Sequence, residues 1–240
     1  MRTVVLSLVL LACASESSEP SSESSEDTAG AEHTVEHHHH HGQGHHHDFS
    51  DVERFSAIFD APDRHEWQKP DELVALMELR PGAVVADLGA GTGYFLSHLS
   101  EAVGTHGRVI ALDVEPAMVE HMQQRIAREG LDNVEARTIG TDAPGLADAS
   151  VDAILIVDTW HHIAEREAYA AKLRAALKPG GTVWVVDFTL DAPQGPPAEM
   201  RIAPEQTVTE LQAGGLVAEL VDEPLPYQYV VRARREEAAR

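Results

Sequence analysis

Asp87, Gly89, Gly91, Gly93 and Asp113 have the types and spacing to hold a small polar ligand. An apolar run ends in Asp87, glycines follow at every second position, and a helix-like segment begins at Tyr94. A strand that breaks into a glycine turn and then a helix brings bare backbone N–H groups close to a ligand. Twenty residues after Gly93, a second apolar run, Val109 to Leu112, ends in Asp113. A carboxylate at that point can grip the hydroxyls of a ribose. A second chemical group follows the apolar run 151–157: Asp158-Thr159-Trp160-His161-His162, with Asp187 ending the next apolar run. A histidine there could deprotonate a hydroxyl, thiol or amine near neutral pH. It could equally be held by backbone and only shape a pocket.

Two cofactors could use the glycine turn. A nicotinamide dinucleotide normally wants G-x-G-x-x-G, with a helix N-terminus on a pyrophosphate. This chain has D-x-G-x-G-x-G, and an acid before the first glycine repels a pyrophosphate but suits an ammonium group. S-adenosylmethionine (SAM) has a ribose, an adenine, an amino-acid end and no phosphate. The stretch from Val84 to Gly93 resembles motif I of the class I SAM-dependent methyltransferases. A dinucleotide enzyme, and a turn that binds nothing, stay open as alternatives.

The resemblance implies roles residue by residue. Asp87 would face the amino group of the methionine moiety, and the backbone of Gly89, Ala90, Gly91 and Gly93 would lie against methionine and ribose. Asp113 would accept bonds from both ribose hydroxyls, Val114 and Met118 would pack near the adenine, and Asp142 would face its amine. Asp158, His161 and His162 would sit under the transferring methyl group as the catalytic candidates. Asp158 and Asp187 together resemble the paired acids of metal-dependent catechol-type methyltransferases, but Phe188 follows Asp187 and no third oxygen ligand for Mg is identifiable. The segment His65 to Pro70, whose Trp67 could form a lid over SAM, joins Asp158 to His162 and Leu225 to Tyr229 in a further likeness. Together they resemble an uncharacterised group of predicted bacterial methyltransferases, often exported, with no known substrate.

These residues need a scaffold, and the chain past residue 48 alternates strands and helices. Helices are expected at Asp51 to Phe59 and at Asp71 to Leu79, with Asp71 as N-cap after Pro70 and Pro81-Gly82 as the stop. Further helices are expected at Tyr94 to Val103, 116–129, 165–177 and 204–213. Lys178-Pro179-Gly180-Gly181 reads as a helix stop before strand 182–187. Strands are also expected at 109–112, 133–137, 151–157, 216–222 and 227–233, with Pro224 and Pro226 in the last reversal. The central strands are continuous apolar runs, as in a parallel sheet covered on both faces. The expected class is α/β: a Rossmann-like, seven-stranded, mostly parallel sheet with helices on both faces. The antiparallel last strand follows from the resemblance, which covers about residues 66 to 233.

Three segments divide the chain. Residues 1–12 read as a lipoprotein-type signal peptide: a basic start at Arg2, an apolar run too short to span a bilayer, then Leu10-Leu11-Ala12-Cys13. Cys13 is the single cysteine, which excludes an intrachain disulfide and fits a lipid anchor. An A-x-A cleavage after Ala14 is the rival, giving a soluble periplasmic protein, and a misread leader would leave it cytoplasmic. Ala14 after the anchor favours the outer membrane by resemblance. Residues 13–48 hold a Ser/Glu-rich tether expected to be disordered, then a histidine tract: His33, His37, His38, His39, His40, His41, His45, His46 and His47. Such a tract could collect Zn, Cu or Ni with poor selectivity, or be only a solvated linker. Residues 49–240 suffice for one domain with a good core.

The formal net charge is −22, and Cys13 to Asp48 holds eight acids and no Lys or Arg. The remainder is still acidic and has no basic stripe, which argues against nucleic acid as a partner. The expected function is SAM-dependent methyl transfer (EC 2.1.1.-) to an O, N or S atom of a small molecule, on an exported, membrane-anchored lipoprotein. The alternative is a non-catalytic lipoprotein with a metal-binding tract and a ligand-binding fold.

Overall fold

The computed structural model describes residues 51–222 and 225–236. The leader, Cys13, the tether, the histidine tract and Pro224 lie outside the described residues.

Three helices precede the first strand: α1 (Val52–Phe59), α2 (Arg64–Gln68) and α3 (Pro70–Leu76). Asp51 caps α1 by accepting the Arg54 N–H at 3.1 Å. The start of α3 differs from the sequence expectation. Lys69 takes a left-handed backbone (φ 45°) that closes α2 and opens α3, so Pro70 is the first helical residue and Asp71 lies inside the first turn. Proline suits that position because its fixed φ is helical and its missing N–H would be unpaired there anyway. The helix also stops at Leu76, not Leu79, because Glu78 adopts φ 48° and its N–H bonds three residues back, to Ala75. The short α2 was missed altogether.

The remaining elements are β1 (Val84–Leu88), α4 (Leu96–Val103), β2 (Arg108–Asp113), α5 (Pro116–Glu129), β3 (Val134–Thr138) and β4 (Val151–Val157), then α6 (Arg166–Ala176), β5 (Leu177–Phe188), α7 (Pro204–Ala213), β6 (Val217–Val221) and β7 (Gln228–Arg234). Single 3-10 turns occur at Trp160–His162 and Ala198–Met200. Helix α4 begins two residues later than expected, because the glycine turn continues through Phe95. Lys178 to Gly181 does not sit outside the strand. It belongs to β5, with a register shift between Val151 and Ala153 opposite it. Gly181 explains the tolerance, since a Cβ there would lie 2.9 Å from the Asp152 carbonyl.

The sheet has seven strands in the order β3-β2-β1-β4-β5-β7-β6, with β7 antiparallel to both its neighbours and the rest parallel. Alternate residues of each strand feed opposite faces. Leu88, Leu112, Ile154 and Ile156 pack on one face with Tyr169 and Leu173 of α6 and Leu211 of α7. Val85, Val109, Leu155 and Val157 pack on the other with Leu73 of α3, Leu99 of α4 and Met122 of α5. Burial on both faces is why the strands read as unbroken apolar runs. The chain winds outward in one direction from β1 and in the other from β4, and these two strands are paired side by side. Their carboxyl ends therefore open a crevice at the switch point of the topology, where open α/β sheets hold ligands.

Candidate active site

The cavity above that crevice has a volume of about 1050 Å³. Its cofactor-type wall begins where β1 ends. Gly89 (φ 72°) turns the chain so that its N–H and that of Ala90 both donate to the Leu112 carbonyl, at 2.8 and 3.1 Å. A side chain at Gly89 would collide with Thr159, whose Oγ1 lies 2.3 Å from the would-be Cβ, so only glycine fits between β1 and β4. The Gly91 N–H donates to Asp113 Oδ2 at 2.8 Å and the Glu115 N–H to Oδ1 at 2.9 Å. Each carboxylate oxygen keeps further lone-pair capacity for a ligand hydroxyl. Burial pushes the Asp113 carboxyl up, partly offset by the backbone N–H groups of Glu115, Gly91 and Val114.

Asp87 is 3% exposed at the floor of the cavity. Burial raises its pKa to about 7, opposed by the nearby Arg64 guanidinium and aided by Asp113. Folded, this carboxyl therefore holds its proton from its ordinary 3.8 up to about 7, a range in which the unfolded chain has released it. The ligand-free domain must lose stability as pH rises from about 4 to about 7. Thermal melts from pH 5 to pH 8 should show this slope. Asp87→Asn should lessen it, Asp158 supplying a like slope, and should melt above wild type at pH 8; a variant melting at or below wild type there would refute the assignment.

Arg64 lines the same cavity as Asp87. It is buried, donates from Nη1 to the Phe59 carbonyl (2.6 Å) and from Nη2 to Gln68 Oε1 (3.2 Å), and lies 4.1 Å from the Tyr94 ring centre. Burial lowers its pKa, against which Asp158, Tyr94, Asp60 and Asp87 all act. Its Nε–H has no protein partner. Gln68 passes the chain of bonds on: its Nε2 donates to Gln228 Oε1, and Gln228 Nε2 donates to Asp158 Oδ1, each at 2.6 Å. Gln228 reaches that point because it opens β7 directly opposite Phe188, the last residue of β5. Trp67 packs on Phe188 and Tyr227, with ring centres 5.7 and 6.4 Å away. It thus covers the ends of β5 and β7.

Asp158 leaves β4 in a left-handed conformation (φ 51°). Such backbone costs about 1–3 kcal/mol and persists where the surroundings impose it. Thr159 Oγ1 donating to the Val157 carbonyl (2.9 Å) and Gln228 supply that constraint. Burial and Asp187 raise the Asp158 pKa to about 7, against Arg64, His161 and Gln228.

The two histidines have different settings. His161 Nδ1 lies 2.9 and 2.8 Å from the two oxygens of Asp187, which is fully buried and also accepts the Phe188 N–H at 2.9 Å. A carboxylate partner makes Nδ1 the protonated nitrogen and leaves Nε2 as the acceptor. His162 is half-buried and stacks at 4.2 Å from the His161 ring. Both line the cavity.

Asp87, Gly89, Ala90, Gly91, Asp113, Val114, Met118, Asp142, Asp158, His161 and His162 all line this one cavity. Gly93 does not. Its N–H closes the turn onto the Ala90 carbonyl, and a Cβ there would strike Leu96 at 2.7 Å, so its glycine serves helix packing. Asp142 is exposed, and its carbonyl accepts Lys172 Nζ. Asp187 serves His161 with both oxygens. Among the described residues, no three His, Cys, Asp or Glu side chains are grouped to hold a metal ion. Arg64, Gln68, Thr159 and Asp187's role as a histidine partner are not legible in the sequence as site features, although Gln68 and Gln228 lie within His65 to Pro70 and Leu225 to Tyr229.

The family model described as a methyltransferase domain matches residues 85–181. This stretch is similar to that family. A SAM-dependent methyltransferase from Aquifex aeolicus has a similar structure, with 28% identity and a TM-score of 0.73 over 79% of this chain and 100% of that one. Together these place the domain in class I, with SAM as its cofactor. A ubiquinone/menaquinone biosynthesis C-methyltransferase of Hydrogenovibrio crunogenus is 30% identical over 48% of this chain and 46% of its own length. An arsenite methyltransferase of Halobacterium salinarum is 29% identical over 50% of this chain and 30% of its own. The chain spans less than half the length of these two relatives. The match to the methyltransferase domain takes in the glycine turn, Asp113, Asp158 and His161, and ends before Asp187, Arg201 and Gln228.

Proposed function

We propose that this chain transfers the methyl group of SAM to an O, N or S atom of a small molecule, with His161 as the base. The observation that carries the reading is the sharing of one cavity by the Asp113 ribose cradle and the His161–Asp187 pair.

The residues fit SAM on their chemistry. Asp87 suits its ammonium, the partnerless Nε–H of Arg64 suits its carboxylate, Asp113 suits its ribose, and Met118 and Val114 offer apolar surface for its adenine. When bound, SAM supplies an electrophilic methyl group on a sulfonium, already activated. The protein's part is then alignment and exclusion of water, and positioning alone can contribute roughly 7–11 kcal/mol. A base is needed only when the acceptor arrives protonated. His161 is placed for that: Nε2 takes the proton and Asp187 stabilises the resulting imidazolium.

Calorimetric titration of SAM into the full chain tests the cofactor, and transfer of radiolabelled methyl to an extract of small molecules tests the reaction. Micromolar binding is expected, tightening as pH rises through about 7, where Asp87 ionises to meet the ammonium. A folded protein that binds no SAM would end the proposal. The site is further proposed to work outside the cytoplasm, held by a lipid on Cys13, on the strength of the leader residues. Cell fractionation with Cys13→Ser checks this, and equal, uncleaved solubility of both forms would refute it.

A further inference from the structure

One wall of the cavity serves neither SAM nor the proton. It is the connection between β5 and α7, residues 189–203, which contributes Gln194, Gly195, Pro196, Pro197 and Met200 to the lining. One side chain, Arg201, gathers five carbonyls of this long loop. Arg201 Nε donates to the Pro196 carbonyl at 2.9 Å, Nη1 to those of Thr189, Leu190 and Ala192 at 3.3, 3.3 and 2.7 Å, and Nη2 to that of Gln194 at 3.1 Å. Only the planar five-donor fork of arginine can serve so many carbonyls at once. The loop is pressed flat on the site: a Cβ on Gly195 (φ 102°) would lie 2.6 Å from the Phe188 ring. Phe188 follows Asp187, and Trp67 packs against it. Trp67, Phe188, Gly195, the two prolines and Met200 thus share the cavity with the base and bring no charge.

The charge around this wall is one-sided. Asp158 and Asp187 lie at its foot. Among the described residues, the Arg and Lys side chains lining the cavity are Arg54, Arg64 and Lys172, beside the histidines His161 and His162. Arg54 and Lys172 are exposed, and Arg64 donates to the Phe59 carbonyl and Gln68, leaving its Nε–H for the SAM carboxylate. Among the described residues, that leaves no buried Arg or Lys free to pair with an anionic acceptor beside Asp158 and Asp187, where burying an unpaired carboxylate is unfavourable. An apolar molecule loses nothing by entering. For the base, a phenol's ordinary pKa near 10 is far closer to imidazole than an alkyl alcohol's.

We propose that the Arg201-stapled loop is the acceptor-selecting wall and that it admits an apolar, non-anionic phenol. This rests on the methyltransferase reading above. The phenolic proton passes to His161 Nε2. The phenolic oxygen then forms its bond to the methyl carbon as the carbon–sulfur bond breaks, and that bond's electron pair stays on sulfur. Arg201 is a positioning residue that acts through the loop.

The test uses the full chain, saturating SAM and three acceptors of one skeleton: 2-naphthol, 6-hydroxy-2-naphthoate and 2-naphthylmethylamine. Methylation of 2-naphthol is expected, with kcat/KM at least tenfold above both others. Arg201→Ala and Arg201→Lys should each raise KM for 2-naphthol at least tenfold, change kcat less than threefold and leave SAM affinity unaltered. A purely structural arginine would lower the melting temperature and affect SAM and acceptor alike. Should Arg201→Ala not fold, the lysine variant decides. SAM binding without naphthol methylation, equal use of the anionic analogue, preference for the amine, or an unchanged KM would each overturn the proposal alone. Failure to bind SAM would overturn the methyltransferase reading with it.

Discussion

Asp113→Ala should raise the dissociation constant of SAM by roughly two to four orders of magnitude. The carboxylate is 8% exposed, so its bonds to two ribose hydroxyls form with little competition from water. Hydrogen bonds to a charged group contribute about 1.5–3 kcal/mol each. Two of them make about 3–6 kcal/mol, and each 1.4 kcal/mol is about tenfold in affinity. A second loss points the same way, because the N–H groups of Gly91 and Glu115 lose the acceptor that fixes the glycine turn. Asp113→Asn separates the two effects: it keeps one acceptor oxygen for the turn but has no charge, and should fall between. Calorimetry with both variants, each checked for folding by its melt, measures the ratio. If Asp113→Ala binds SAM within threefold of wild type, the ribose does not sit there.

Much of the cofactor side was open to reading from the chain, for a physical reason. Asp87, Gly89, Gly91 and Asp113 act through the backbone turn and the strand ends that carry them. Those constraints are local, so they leave a local pattern: apolar run, acid, glycines, helix. The sheet was legible on the same ground, since burial on both faces forces unbroken apolar strands. The acceptor side is different. Gln68 and Gln228 are 160 residues apart, and nothing in either neighbourhood shows that they bond in sequence to reach Asp158. Arg64 looks like an ordinary basic residue until the fold brings it into the same cavity as Asp87, and α2 has only five residues, too few for a periodic signal. Asp187 was visible as an acid at a strand end, and that suggested a metal. Only the register of β4 and β5 turns its carboxylate onto His161 instead. The boundaries at Lys69 and Lys178 slipped because a left-handed residue and a strand irregularity are fixed by neighbours in space.

The larger effect on turnover is expected from Asp187→Asn. The substitution keeps size and shape in a site that is fully buried, so the domain should fold. An amide, however, can donate as well as accept. If it donates to His161 Nδ1, the ring must carry its proton on Nε2, the atom that has to receive one. General-base assistance is typically worth about 10²- to 10⁴-fold, and kcat should fall by roughly that factor for an acceptor that arrives protonated. SAM affinity should stay within a few-fold, because Asp187 touches His161 and the Phe188 N–H, not the cradle around Asp113. His161→Ala should fall at least as far. The pH profile gives an independent check. At saturating SAM the ionisation of Asp87 no longer matters, which leaves Asp158, whose pKa burial and Asp187 raise to about 7. Above that pH its negative charge stands beside His161 and stabilises the imidazolium formed when the proton arrives; below it the charge is gone. So kcat should rise as pH passes upward through about 7, and Asp158→Asn should lessen that rise, leaving the part that the base itself contributes. Asp187→Asn turning over within threefold of wild type, with the same profile, would leave His161 a pocket wall and methyl transfer here a matter of alignment alone.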